Sequence, residues 1–171
     1  MRIDLHAHSS VSDGTETPAE LLAPAAASAA RTNANVDLSQ MVSAYQQVHV
    51  VRVVERFDNG AVATVDVMPS GQFRIASTGG QDPALIVKLA TQPIPDVGTA
   101  VGTSSVKALG TKTLDSVKVS GYSVAAADGS YTATVWTNAN HLPVSADVQT
   151  QGHKINLTFG DYNDSMLIGA R

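Results

Sequence analysis

The sequence predicts an α+β fold: an antiparallel sheet that curls on itself, with one N-terminal helix and one mid-chain helix. Three observations carry that expectation. The chain has 171 residues and 43% hydrophobic content, a one-domain length with enough apolar material for a single core. Twenty of its 21 valines lie after residue 31, and valine, stiff at its branched Cβ, favours pleated surfaces. After that point strand-length runs alternate with turn residues, and only two stretches carry a helical pattern. The domain is therefore expected over 31–171, behind an N-terminal arm of residues 1–30.

The arm has two parts. Residues 1–20 are polar and carry Asp4, Asp13, Glu16 and Glu20, whereas 21–30 read LLAPAAASAA, without charge. Ala27 and Ala29 give the small-x-small pattern that signal peptidase cuts, with Leu21 and Leu22 as the end of a shortened apolar segment. The body begins with Leu38, Met41, Val42 and Tyr45, spaced as one helical stripe. Strands follow over 48–57 and 61–68, joined by the hairpin signal Asp58-Asn59-Gly60. Pro69-Ser70-Gly71 turns the chain into a strand over 72–77, which Thr78-Gly79-Gly80 ends.

Asp82-Pro83 is a cap followed by proline at the first helical position. It predicts a helix over 83–91 with Leu85, Ile86 and Leu89 buried, ended by Pro93-Ile94-Pro95, and 96–104 reads as loop. Strands over 116–124 and 131–136 flank Asp128-Gly129 as a hairpin. Val144, Ala146 and Val148 then alternate with polar residues, as do Ile155, Leu157 and Phe159 after the Gln151-Gly152 turn. Seven strands and two helices make the count.

Composition narrows the function. Eleven basic against 15 acidic side chains leave a net charge of −4, so there is no basic footprint to neutralise phosphates and no nucleic-acid partner is expected. Zero cysteine excludes disulfides, thiolate sites and thioether lipid attachment. No run of 18 apolar residues exists, so no membrane span is expected. No phosphate-binding glycine loop, nucleophile elbow or His-Glu-x-x-His occurs. His49 reads as an edge or satisfied histidine, His141 and His153 as solvated turn residues, and Asp161 and Asn163 as turn residues after the last strand.

Two family resemblances stand out. In residues 2–22, RIDLHAHSSVSDGTETPAELL, alternation on a strand would set Asp4, His6 and His8 on one face. Asp13-Gly14 turns, and Thr17, Pro18 and Glu20 form a capped helix start. This stretch resembles the opening motif of the PHP metal-dependent phosphoesterases, and implies metal-assisted phosphoester hydrolysis using His6 and His8. The family's later ligand motifs (a Thr-Asp-His strand end, a Glu, a terminal Asp-x-His) have no counterpart here. Pro24 also interrupts the helix begun at Thr17. No metal, cofactor or catalytic residue is therefore expected.

The second resemblance covers 36–168. It rests on the order of Met68-Pro69-Ser70-Gly71-Gln72-Phe73-Arg74, Leu109-Gly110, Gly121-Tyr122, Tyr131 to Trp136, Leu142-Pro143 and Phe159-Gly160-Asp161-Tyr162-Asn163. That order resembles the LolA-like superfamily of periplasmic lipoprotein and lipid carriers, and implies an unclosed β-barrel whose helices close over an apolar cavity. The residues then expected at the ligand are Val51, Val53, Val65, Val67, Phe73, Arg74, Trp136, Leu157 and Phe159. Each apolar one among Val65, Phe73, Trp136 and Phe159 also reads as ordinary core. Arg74 reads either as a gate bonded to the closing helix or loop, or as a surface arginine.

The expected function is non-catalytic binding or carriage of a lipid, a lipoprotein acyl chain or another apolar ligand in the concave face. The partner would be a lipid or an acylated protein, the chain a monomer, and the location periplasmic or secreted. A PHP-like phosphoesterase and an interaction module with a filled core are the alternatives.

Overall fold

The computed structural model describes residues 33–68, 71–92, 94, 105–126, 129–150, 152–165 and 167. The arm, with His6, His8 and the alanine patch, lies outside the described residues. Helix α1 occupies 33–46. Strands β1 (Val51–Phe57), β2 (Val62–Val67) and β3 (Phe73–Ser77) precede helix α2 (Pro83–Thr91). Then come β4 (Ser105–Leu114), β5 (Val117–Ala125), β6 (Tyr131–Thr137), β7 (Pro143–Thr150) and β8 (His153–Gly160).

All eight strands form one sheet in the order β3-β2-β1-β8-β7-β6-β5-β4, and every pairing is antiparallel. The first and last strands, β3 and β4, do not pair, so the sheet curves without closing. This is the predicted α+β class, with two helices among the described residues.

The seam between β1 and β8 joins the two halves of the sequence and is fastened at both ends. At one end Asn163 donates its backbone N–H to the Val50 carbonyl (2.7 Å), and its Oδ1 accepts from the His49 N–H (2.8 Å). At the other, Asp58 N–H donates to the Lys154 carbonyl, and Lys154 N–H donates to the Asp58 carboxylate.

Both helices pack on the same face of the sheet. Ala34, Leu38, Met41 and Tyr45 form the buried stripe of α1, as the spacing predicts. The Tyr122 hydroxyl donates to Asp37 (2.9 Å), which sets the start of α1 over β5. Tyr45 meets Phe159 edge to face at 5.9 Å, which sets its end over β8. Helix α2 begins as expected: the Asp82 carboxylate caps it by accepting from the Ala84 N–H, and Pro83 opens the first turn. Ile86, Leu89 and Ala90 are its buried residues, while Leu85 is only partly covered. The Tyr45 hydroxyl donates to the Ala90 carbonyl (2.6 Å) and ties the helices together.

Two details depart from expectation. The first strand starts at Val51, not at residue 48, because Val48 N–H closes the last turn of α1 on the Tyr45 carbonyl. Strand β4, which the sequence pattern does not announce, makes the eighth. It is an edge strand, exposed along nearly its whole length, so packing imposes no apolar alternation on it. Gly110, at φ 84°, breaks its register with β5, and the hairpin that follows turns on Asp115 and Ser116, both with positive φ and neither a glycine.

Candidate ligand-binding face

Strand alternation and register decide which side chains meet. On the face under the helices, Val51 pairs across the sheet with Val67, and Val53 lies between Val65 and Phe159. One row further, Glu55 sits between Ala63 and Leu157, and Leu157 opposes Ala146. Six of the nine predicted ligand residues therefore share one surface: Val51, Val53, Val65, Val67, Leu157 and Phe159. All six are in the core cluster with Leu38, Met41, Tyr45, Ile86 and Leu89, and none is more than 5% exposed. In this arrangement the helices cover them, so a ligand reaches them only by displacing helical side chains.

Of the other three, one stands at the edge of this face and two on the opposite face. Phe73 pairs with Val67 on the same inner face, yet it is 52% exposed because β3 is the sheet edge. It borders a hollow of about 660 Å³ with Pro83, Ala84, Val87, Lys88, Thr91 and Gln92 of the α2 region, a volume in the range of small-molecule sites.

Arg74 and Trp136 project from the opposite, outer face. Arg74 opposes Asp66 and donates to its carboxylate at 2.5 Å, and Arg52 donates to the same carboxylate at 2.8 and 3.2 Å. Arg74 thus holds the outer face of β3, and among the described residues it bonds Asp66 and not a closing helix. Burial alone would raise the Asp66 carboxyl, but the hydrogen bonds from Arg52 and Arg74 outweigh it and hold the pKa below its ordinary value. Trp136 opposes Gly121 across β5 and Ser145 across β7. Its ring fills the space where a Cβ on residue 121 would stand, 2.4 Å away, and the Lys112 ammonium rides over it at 3.6 Å. A second hollow, of about 440 Å³, is bordered by polar outer-face residues including Arg56, Thr132, Thr134, Asp147 and Asn156.

Glu55 is the residue that sequence reasoning passed over. It is fully buried, and neither carboxylate oxygen has a hydrogen-bond partner. Desolvation pushes its pKa from 4.5 up to about 8. Tyr45 is near enough for the charge of Glu55 to add to the burial that raises the phenol pKa. The signal was in the sequence: in VRVVERF, Glu55 shares the phase of Val51, Val53 and Phe57.

No protein-family model matches the chain, and no curated protein does either. Among solved structures, lipoprotein LppX of Mycobacterium tuberculosis superposes with a TM-score of 0.55 at 17% identity, over 78% of this chain and 96% of that one. The chain shares its fold with LppX. MucB superposes at a TM-score of 0.52 and 14% identity, over 81% of this chain and 63% of MucB. A looser overlay on the LolA superfamily protein NE2245 of Nitrosomonas europaea, with a TM-score of 0.32 at 12% identity over 75% of this chain and 92% of that one, adds nothing to the assignment. The likeness to LppX and MucB is one of backbone architecture, and the site residues are this chain's own.

Proposed function

We propose that this protein binds and carries a lipid, a lipoprotein acyl chain or another apolar ligand between its concave face and its helices, without chemistry on it. A periplasmic or secreted setting suits that role. The observation that carries the reading is the half-exposed Phe73. It stands on the inner face of the edge strand, beside a 660 Å³ hollow along the exposed side of α2, the side opposite the buried Ile86, Leu89 and Ala90. From there the inner-face register runs directly to Val67, Val51, Val65 and Val53. An apolar chain entering at Phe73 meets methyl-bearing side chains throughout, and affinity would come from apolar burial with few polar contacts.

Titration with a fluorescent acyl probe, followed by lipid extraction and mass spectrometry of the purified chain, tests this. Saturable binding is expected, and Val87→Asp, which sets a charge in the hollow, should weaken it at least tenfold with the circular dichroism melt unchanged. Absence of any probe or co-purified lipid would overturn the reading.

A second reading, a module that grips a protein, draws support from the exposed ten-residue edge β4 and from MucB, a protein of this fold seen in complex with MucA. Probe binding that is absent while a peptide strand pairs with β4 would favour it.

A further inference from the structure

Among the described residues, Glu55 is the one fully buried carboxylate of the concave face, since Asp66 projects from the outer face and Thr137 is neutral. Glu55 projects inward from the middle of β1, flanked along its strand by Val53 and Phe57 and across it by Ala63 and Leu157. Its two oxygens accept nothing. The Tyr45 hydroxyl, which feels the charge of Glu55, gives its proton to the Ala90 carbonyl. The arginines of β1 do not serve either, since Arg52 and Arg56 alternate to the outer face, where they bond Asp66 and Thr158. A carboxyl group left without partners in such a place costs far more than the leucine or valine its strand phase calls for. Buried polar groups of this kind are the ones a ligand satisfies.

Resting on the carrier reading above, we propose that Glu55 is the polar anchor of the site, and that the ligand is an amphiphile whose head donates a hydrogen bond. A hydroxyl, an amide N–H or an ammonium group can donate to the free oxygens of Glu55. A free fatty acid is a poor fit to the ionised Glu55, because two carboxylates would then lie side by side with no cation facing inward from β1. Geometry supports the length as well. Four residues separate the Glu55 row from the Phe73–Val67–Val51 row, about 13 Å along the strands, and β3 lies two strands from β1, about 10 Å across, so the diagonal is about 16 Å. A medium-length acyl chain anchored at Glu55 therefore reaches the hollow at Phe73.

Competition for the acyl probe on the whole chain by monolauroylglycerol, methyl laurate and dodecylamine separates the possibilities, with Glu55→Gln and Glu55→Leu alongside, at pH 9, where Glu55 is ionised and its oxygens only accept. The two donor-bearing ligands are expected to bind about tenfold more tightly than the ester, the worth of one hydrogen bond to an otherwise unsatisfied buried group. Glu55→Gln, which keeps an acceptor oxygen, should retain preference for the alcohol. Glu55→Leu should abolish the preference while leaving the ester's affinity intact. Equal affinity for all three in the unaltered protein, or a preference that survives Glu55→Leu, overturns the anchor and leaves the carrier reading standing. Failure of all three to displace or bind overturns both. The comparison within the unaltered protein needs no variant to fold.

Discussion

Glu55 carries a consequence that extends beyond any ligand. Its folded pKa, about 8, lies above its ordinary 4.5, so between those values the native state holds a proton that the unfolded chain has released. Stability must then fall as pH rises through that window, by up to about 1.4 kcal/mol per pH unit. Asp66 acts in the opposite sense. Its folded pKa is depressed, so its contribution is present above 3.8, its ordinary value, and is lost only as pH falls through the folded pKa. Urea midpoints measured at pH 5 and pH 7.5 should therefore decrease with pH in the unaltered chain, and Glu55→Gln should flatten that dependence. A flat profile in the unaltered chain would mean that Glu55 finds a partner or water. At this scale the sequence was half legible. Alternation sorted Val51, Val53, Val65 and Val67 onto one face, but Phe73 and Trp136 are both aromatic strand residues, and only register tells that one faces inward and the other outward.

Among the elements, α2 is the cover of the site on the carrier reading. It has nine residues, too few to be stable alone, and it holds its place through Ile86, Leu89, Ala90, the Tyr45 bond and the Asp82 cap. Removal of the cap by Asp82→Ala should cost about 1 kcal/mol. Hydrogen exchange over 83–91 should rise, and uptake of an acyl probe should quicken if this helix is the cover. Unchanged uptake with faster exchange would point to α1 instead. The elements that the sequence announced are those with local signals: the Asp82-Pro83 start of α2, the Leu38-Met41-Tyr45 stripe of α1, the Asp58-Asn59-Gly60 hairpin. Strand β4 had none. Its residues face solvent on both sides, its interior holds Gly110, and its turn places Asp115 and Ser116 in a conformation usually left to glycine or asparagine.

For the molecule as a whole, the decisive contact is the pairing of β1 with β8, which brings Val53 beside Phe159 and Glu55 beside Leu157. Those partners are about a hundred positions apart in sequence, and no local pattern encodes which strand comes to lie beside which. The seam makes one inner surface of the two halves and leaves β3 and β4 as free edges, an open architecture whose helices cover apolar side chains without locking a closed barrel around them. On the carrier reading an amphiphile inserts there. Methyl-labelled protein saturated with monolauroylglycerol offers the most direct measurement, through nuclear Overhauser contacts between ligand methylenes and protein methyl groups. Contacts to Val51, Val53, Val65, Val67 and Leu157 are the predicted result. Contacts confined to the methyls of Thr132 and Thr134, bordering the outer-face hollow, would place the ligand on the opposite face and rule out insertion under the helices.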